Sequence, residues 1–184
     1  MFSKATPVKQ GVSGIWIGLT VALLAASAFV RIPMYPMPLT MQIFVVFLLP
    51  IVFGPKISFY GVGIYIALGL AGLPIFSTGG GIAYILMPSF GFLIGYLLAV
   101  IPAGIIANML TGTKGVFLSL IVSIIVIYTC GIFYLYININ FIQEKSIPIL
   151  TVLKGFLVFI LPDMLKLAGA VFVAPILSKV FKST

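Results

Sequence analysis

Histidine is absent from this 184-residue chain, cysteine occurs once, and Asp and Glu together number two. A zinc site is built mainly from His and Cys, and a Ser-His-Asp triad or a Cys-His dyad needs an imidazole. None of these can be assembled here, and no enzyme reading survives. No G-x-x-x-x-G-K-[ST] phosphate loop occurs, so the chain carries no ATP-driven motor of its own. Charged residues make up 7% of the sequence, against about 25% in soluble domains. That is too little charge to cover a water-facing surface.

What is present is apolar: 62% of the residues. A spanning helix takes about 20 of them, so six helices use roughly 120 residues and leave about 60 for loops. The length allows one helical bundle in a lipid bilayer and no soluble domain. The net charge of +8 is not arranged as a basic stripe with interleaved aromatics, so no nucleic-acid partner is expected. The lone Cys130 sits inside an apolar run and reads as a packing residue.

Apolar runs and their breakers divide the chain. The expected spans are 14–30, 39–53, 57–71, 90–110, 116–137 and 163–182. Ala26-Ser27-Ala28 also resembles a signal-peptidase site, which makes a cleaved leader the alternative for the first run. Pro33, Pro36 and Pro38 exclude a helix between the first two runs. Residues 72–91 contain Gly79-Gly80-Gly81 and Pro88 and no charge, too apolar for a water-exposed loop and too broken for a helix. Such backbone is tolerated at membrane depth where it lines a cavity, which predicts a re-entrant or lid-like loop; a surface loop is the alternative. Residues 148–160 are too short to span and read as an outer half-helix, stopped at Leu161-Pro162. Six spans with both termini cytoplasmic place Lys4, Lys9, Lys56, Lys114, Lys179 and Lys182 inside. Arg31, Lys145 and at most Lys154 are then outside, as the positive-inside rule asks.

Asp163 and Lys166 are the ionisable pair of the last apolar stretch. At i and i+3 they share a helix face. Ionisable groups inside a span are costly and face a cavity or each other, so the pair is a ligand site or an ion pair that locks the helix. Pro162 predicts a helix start, with Asp163 near the N-terminal end of the dipole. An acceptor carboxylate beside an ammonium suits a small molecule with an N–H-rich end and an acidic end. Ala22, Ala25 and Ala26 form a small-residue face, for internal packing or for a partner subunit. Tyr35, Thr40, Gln42, Ser77, Thr78, Tyr84, Ser89 and Asn108 are uncharged polar groups near or between these elements.

Four pieces, in order, resemble one family: residues 32–42 (IPMYPMPLTMQ), 53–56 (FGPK), 69–76 (GLAGLPIF) followed by Gly79-Gly80-Gly81, and 161–166 (LPDMLK). This is the BioY family of biotin-specific substrate-binding (S) components of energy-coupling-factor (ECF) transporters. The chain departs from its pattern in Met87-Pro88-Ser89-Phe90-Gly91-Phe92, where one glycine has become Phe. It also departs at Pro162, which directly precedes Asp163. The resemblance implies a six-helix membrane bundle with an outward-facing biotin pocket and a structured outer Gly-rich loop. It implies biotin contacts from Asp163 and Lys166, the lysine on the valerate carboxylate and the aspartate on the ureido group. Gln42, Tyr35, Ser77, Thr78, Gly80 and Tyr84 complete the candidate substrate site. The resemblance also implies that Ala22-x-x-x-Ala26 faces the transmembrane coupling (T) subunit, that two cytoplasmic ATPases supply energy, and that the membrane is a bacterial cytoplasmic one. An ion-coupled carrier or channel, and a non-transporting assembly subunit, are the alternatives.

Overall fold

The computed structural model describes residues 13–110 and 112–182; Lys4 and Lys9, two of the expected inner lysines, lie outside them. Six α-helices follow one another: α1 (Ser13–Phe29), α2 (Gln42–Val52), α3 (Pro55–Leu70), α4 (Phe90–Met109), α5 (Gly112–Ile137) and α6 (Ile149–Lys182). A two-stranded ribbon, β1 (Arg31–Ile32) with β2 (Leu39–Thr40), closes the Pro-rich loop, and a 3-10 helix (Ile82–Leu86) lies in the Gly-rich one. Among the described residues, three stretches are long and apolar enough to cross a membrane: Phe90–Met109, Gly112–Ile142 and Ile149–Phe181.

The helix ends follow local chemistry. Gly54, at φ +83°, turns the chain, and Pro55 starts α3 with the φ a first helical turn needs. Helix α2 is shorter than the expected span 39–53. Arg31 pairs with Thr40 and Ile32 with Leu39, so those residues are extended and the helix begins at Gln42. Eight of its residues are buried, which puts α2 inside the bundle rather than against lipid.

The largest departure from expectation is α6. It runs unbroken through Pro162, so there is no separate half-helix over 148–160 and Asp163 lies in mid-helix, not at an N-terminus. The reason is packing. Val152, Phe156, Phe159, Asp163, Leu167, Ala170 and Ala174 form one buried stripe at three- and four-residue spacing on both sides of the proline. Burying that continuous face outweighs the one backbone hydrogen bond that Pro162 removes, a loss that membrane helices tolerate where neighbours pack against them.

Two layers of contacts mark the ends of the bundle. At one end the rings of Trp16, Phe53 and Phe181 meet with centroids 5.2–5.5 Å apart, joining the start of α1, the end of α2 and the end of α6. At the other end Lys145, after α5, donates to the Tyr35 hydroxyl of the Pro-rich loop, and Asn138 donates to Leu86 C=O. The described ends of the chain therefore lie together, opposite the Pro-rich and Gly-rich segments.

Candidate substrate cleft beside the Gly-rich segment

The Gly-rich segment is held by side chains. Phe76 is fully buried between Tyr65 and Tyr84, with centroids 5.3 and 4.4 Å away. Gly69 makes this seat possible, since a Cβ there would lie 2.1 Å from the Phe76 ring. The N–H of Gly81 bonds Gly69 C=O at 2.7 Å. Tyr84 bonds both Ser77 and Ser89 at 3.1 Å. Gln42 Nε2 donates to Tyr65 Oη at 2.7 Å, and Tyr65 Oη donates to Ile75 C=O at 2.9 Å. The segment is thus tied to α2, α3 and α4.

Between this segment, the Pro-rich loop and α6 lies a cleft of about 40 Å³. Asp163 and Lys166 stand on its wall, with side chains 7% and 11% exposed, and their ion pair measures 2.7 Å. Asp163 Oδ2 accepts from Tyr128 Oη at 2.8 Å. Lys166 Nζ donates also to Thr40 C=O at 2.7 Å. A carboxylate offers about four acceptor positions and an ammonium three donors. Two of each are used, so the pair retains one donor and two acceptor positions side by side. Its net charge is zero, which weakens Lys166 as an anchor for an anion.

Aromatic rings complete the wall. Phe92 lies flat against Phe156 at 5.6 Å and 9°, Phe156 stacks on Phe159 at 5.1 Å, and Tyr128 meets Phe156 edge-on at 4.8 Å. Gly131 on α5 makes room for Phe92; a Cβ there would come within 2.2 Å of that ring. Such a surface suits a flat, largely apolar molecule with a few polar atoms.

Of the residues singled out in the sequence, Asp163, Lys166, Gln42, Ser77 and Tyr84 come together on this cleft, with Thr40 and Ser89. Tyr35, Thr78 and Gly80 do not. Tyr35 is 74% exposed and lines a neighbouring cavity. Thr78 points outward. Gly80 packs on the backbone, where a Cβ would strike Leu73 C=O. Sequence reasoning missed Tyr96, Phe92, Phe156 and Phe159 on the wall and Tyr128 behind Asp163. The three- and four-residue spacing of Phe156, Phe159, Asp163 and Lys166 was the available signal, masked by reading Pro162 as a stop.

The sequence profile of the BioY family matches residues 4–183. The chain belongs to the BioY family. It is 38% identical over 172 residues to a probable biotin transporter BioY of Lysinibacillus sphaericus, covering 92% of this chain and 88% of that one. It is 33% identical over 163 residues to the biotin transporter BioY of Thermotoga maritima, covering 88% and 93%. Its fold superposes on the crystal structure of the S-component for biotin from an ECF-type ABC transporter with a TM-score of 0.80, at 26% identity and over 95% of both chains. As a BioY-family chain with several strongly apolar helices, it is a multi-pass membrane protein.

Proposed function

We propose that this chain captures biotin for uptake, as the S component of an ECF-type ABC transporter. It is a transporter component, not an enzyme. The family and its biotin-transporting relatives support this reading. The observation that carries it is the cleft: a buried, charge-balanced Asp163–Lys166 pair set among stacked rings. Biotin's ureido ring presents N–H donors beside a C=O acceptor. The pair presents free acceptor positions on Asp163 beside a free donor on Lys166. Gln42, Ser77 and Tyr84 add polar contacts, and the rings of Phe92 and Tyr96 cover the fused bicycle.

In this role the chain crosses a bacterial cytoplasmic membrane six times with both termini cytoplasmic. The cleft and the Gly-rich segment then face outward. Lys56, Lys114 and Lys179, all exposed, lie toward the end that carries Trp16, Phe53 and Phe181, which agrees with the positive-inside rule. Ala22 and Ala26 are exposed on α1, as are Gly14 and Gly18 one and two steps of four before them. Such a stripe permits close approach of another helix, which suits the T subunit. Two ATPases complete the assembly.

Calorimetry of the detergent-purified full chain with biotin, and with thiamine and riboflavin as controls, tests the ligand. Saturable binding of biotin alone is expected. Equal binding of all three, or of none, defeats the assignment.

A further inference from the structure

The cleft beside Asp163 has room for a few water molecules, not for a fused bicycle with an acidic side chain. A second cavity of about 120 Å³ lies next to it, and the rings of Phe156 and Phe159 line both. The rest of the second wall is largely apolar: Leu135, Ile139 and Val152, with Gly155 leaving open space. On the outer side this wall is the ring of Tyr35. Lys145 Nζ donates to the Tyr35 hydroxyl at 2.7 Å and stands 5.2 Å from the ring centroid.

Lys166 and Lys145 differ in what they can attract. Lys166 is neutralised by Asp163 at 2.7 Å. Lys145 has no carboxylate partner among the described residues, where the Asp163–Lys166 contact is the only ion pair. An apolar cavity with an unneutralised ammonium at its rim is complementary to an aliphatic chain that ends in a carboxylate. We propose that the two cavities form one ligand channel partitioned by Phe156 and Phe159, and that Lys145, backed by Tyr35, receives the carboxylate of the ligand's side chain. This rests on the biotin reading: the ureido head lies at Asp163 and Lys166, the two rings swing aside, and the valerate chain fills the apolar cavity. The carboxylate thus moves from Lys166, where the family resemblance puts it, to a residue on the loop between α5 and α6. A rim charge of this kind also draws in an anionic ligand, so capture depends on ionic strength.

The test uses the full chain in detergent, titrated with biotin and with biotinamide, whose side chain ends uncharged. Lys145→Ala is expected to lose about tenfold in affinity for biotin and to bind biotinamide as the wild type does. Lys145→Arg restores biotin binding, and raising the salt weakens biotin binding by the wild type more than by Lys145→Ala. Lys166→Ala lowers both ligands equally. Gly155→Leu places a side chain in open space at the second cavity and lowers affinity for both ligands, while its unfolding temperature without ligand is unchanged. A wild type that fails to bind biotin overturns the biotin reading itself. Where the wild type binds, two results overturn the channel: a Lys145→Ala protein that binds biotin normally or loses both ligands equally, and a Gly155→Leu protein that binds like the wild type.

Discussion

Removing Asp163 or Lys166 alone leaves an uncompensated charge in a site where both side chains are about nine-tenths covered. Breaking such a pair costs about 3–5 kcal/mol, whereas replacing both partners by apolar groups is often neutral. Asp163→Asn and Lys166→Ala should therefore each lower both thermal stability and biotin affinity. The double variant Asp163→Leu/Lys166→Met should regain most of the stability and none of the binding. Thermal unfolding and calorimetry on the same preparations check this; a double variant as unstable as either single one contradicts it. Tyr128 belongs to the same unit, since its hydroxyl is the partner of Asp163 Oδ2 at 2.8 Å. Tyr128→Phe removes a hydrogen bond to a charged group, worth about 1.5–3 kcal/mol, and should weaken binding through Asp163 without touching the rings. An unchanged affinity would show that Asp163 is held adequately by Lys166 alone. The i,i+3 pair was legible from sequence because helical periodicity brings such residues together. Tyr128 was not, because it is 35 positions from Asp163 and only the packing of α5 on α6 joins them.

At the level of elements, α4 and α5 meet where Gly131 accepts the Phe92 ring. Gly131→Ala forces that ring aside, an overpacking that typically costs about 1–3 kcal/mol. Because Phe92 stacks on Phe156, the displacement reaches the cleft. The expected result is a lower unfolding temperature together with weaker biotin binding; a loss of stability with binding intact would separate the α4–α5 seat from the site. Helix α6 behaves differently. Its buried stripe already carries it through Pro162. Pro162→Ala adds back an N–H for Val158 C=O and should raise stability, with biotin affinity within a few-fold of wild type. Hydrogen exchange at residues 158–163 should slow. Faster exchange there would mean that the proline is accommodated by something the stripe does not describe. The proline rule failed here because propensity is a local term, while the stripe sums burial over about six helical turns.

For the whole molecule, the proposed topology places Lys114 and Lys182 on the cytoplasmic side and Glu144 outside. Reporter fusions at the three positions should read inside, inside and outside; an external C-terminus sinks the orientation. The small residues of α1 give a second test. Ala22 and Ala26 are exposed, so Ala22→Leu and Ala26→Leu are expected to leave the fold and biotin binding unchanged. Association with the T subunit should fall, because the added side chains hold the helices apart. Pull-down of the assembled transporter measures this, and normal assembly by both variants would remove the α1 stripe from the interface.

Composition alone determined that this chain lives in a bilayer: with 7% charged residues no other solvent suits its surface. Composition also excluded a Ser-His-Asp triad and a Cys-His dyad, because a missing imidazole cannot be supplied by folding. The charged pair was determined by spacing. Everything that depends on contacts between distant segments was decided by the tertiary structure. The continuity of α6, the rings that wall the cleft, and the bond from Lys166 to Thr40 C=O are of this kind. So is the placing of Lys145 on Tyr35, 110 residues away in the chain. Each is a sum over neighbours brought together by packing, and no local window of sequence contains those neighbours.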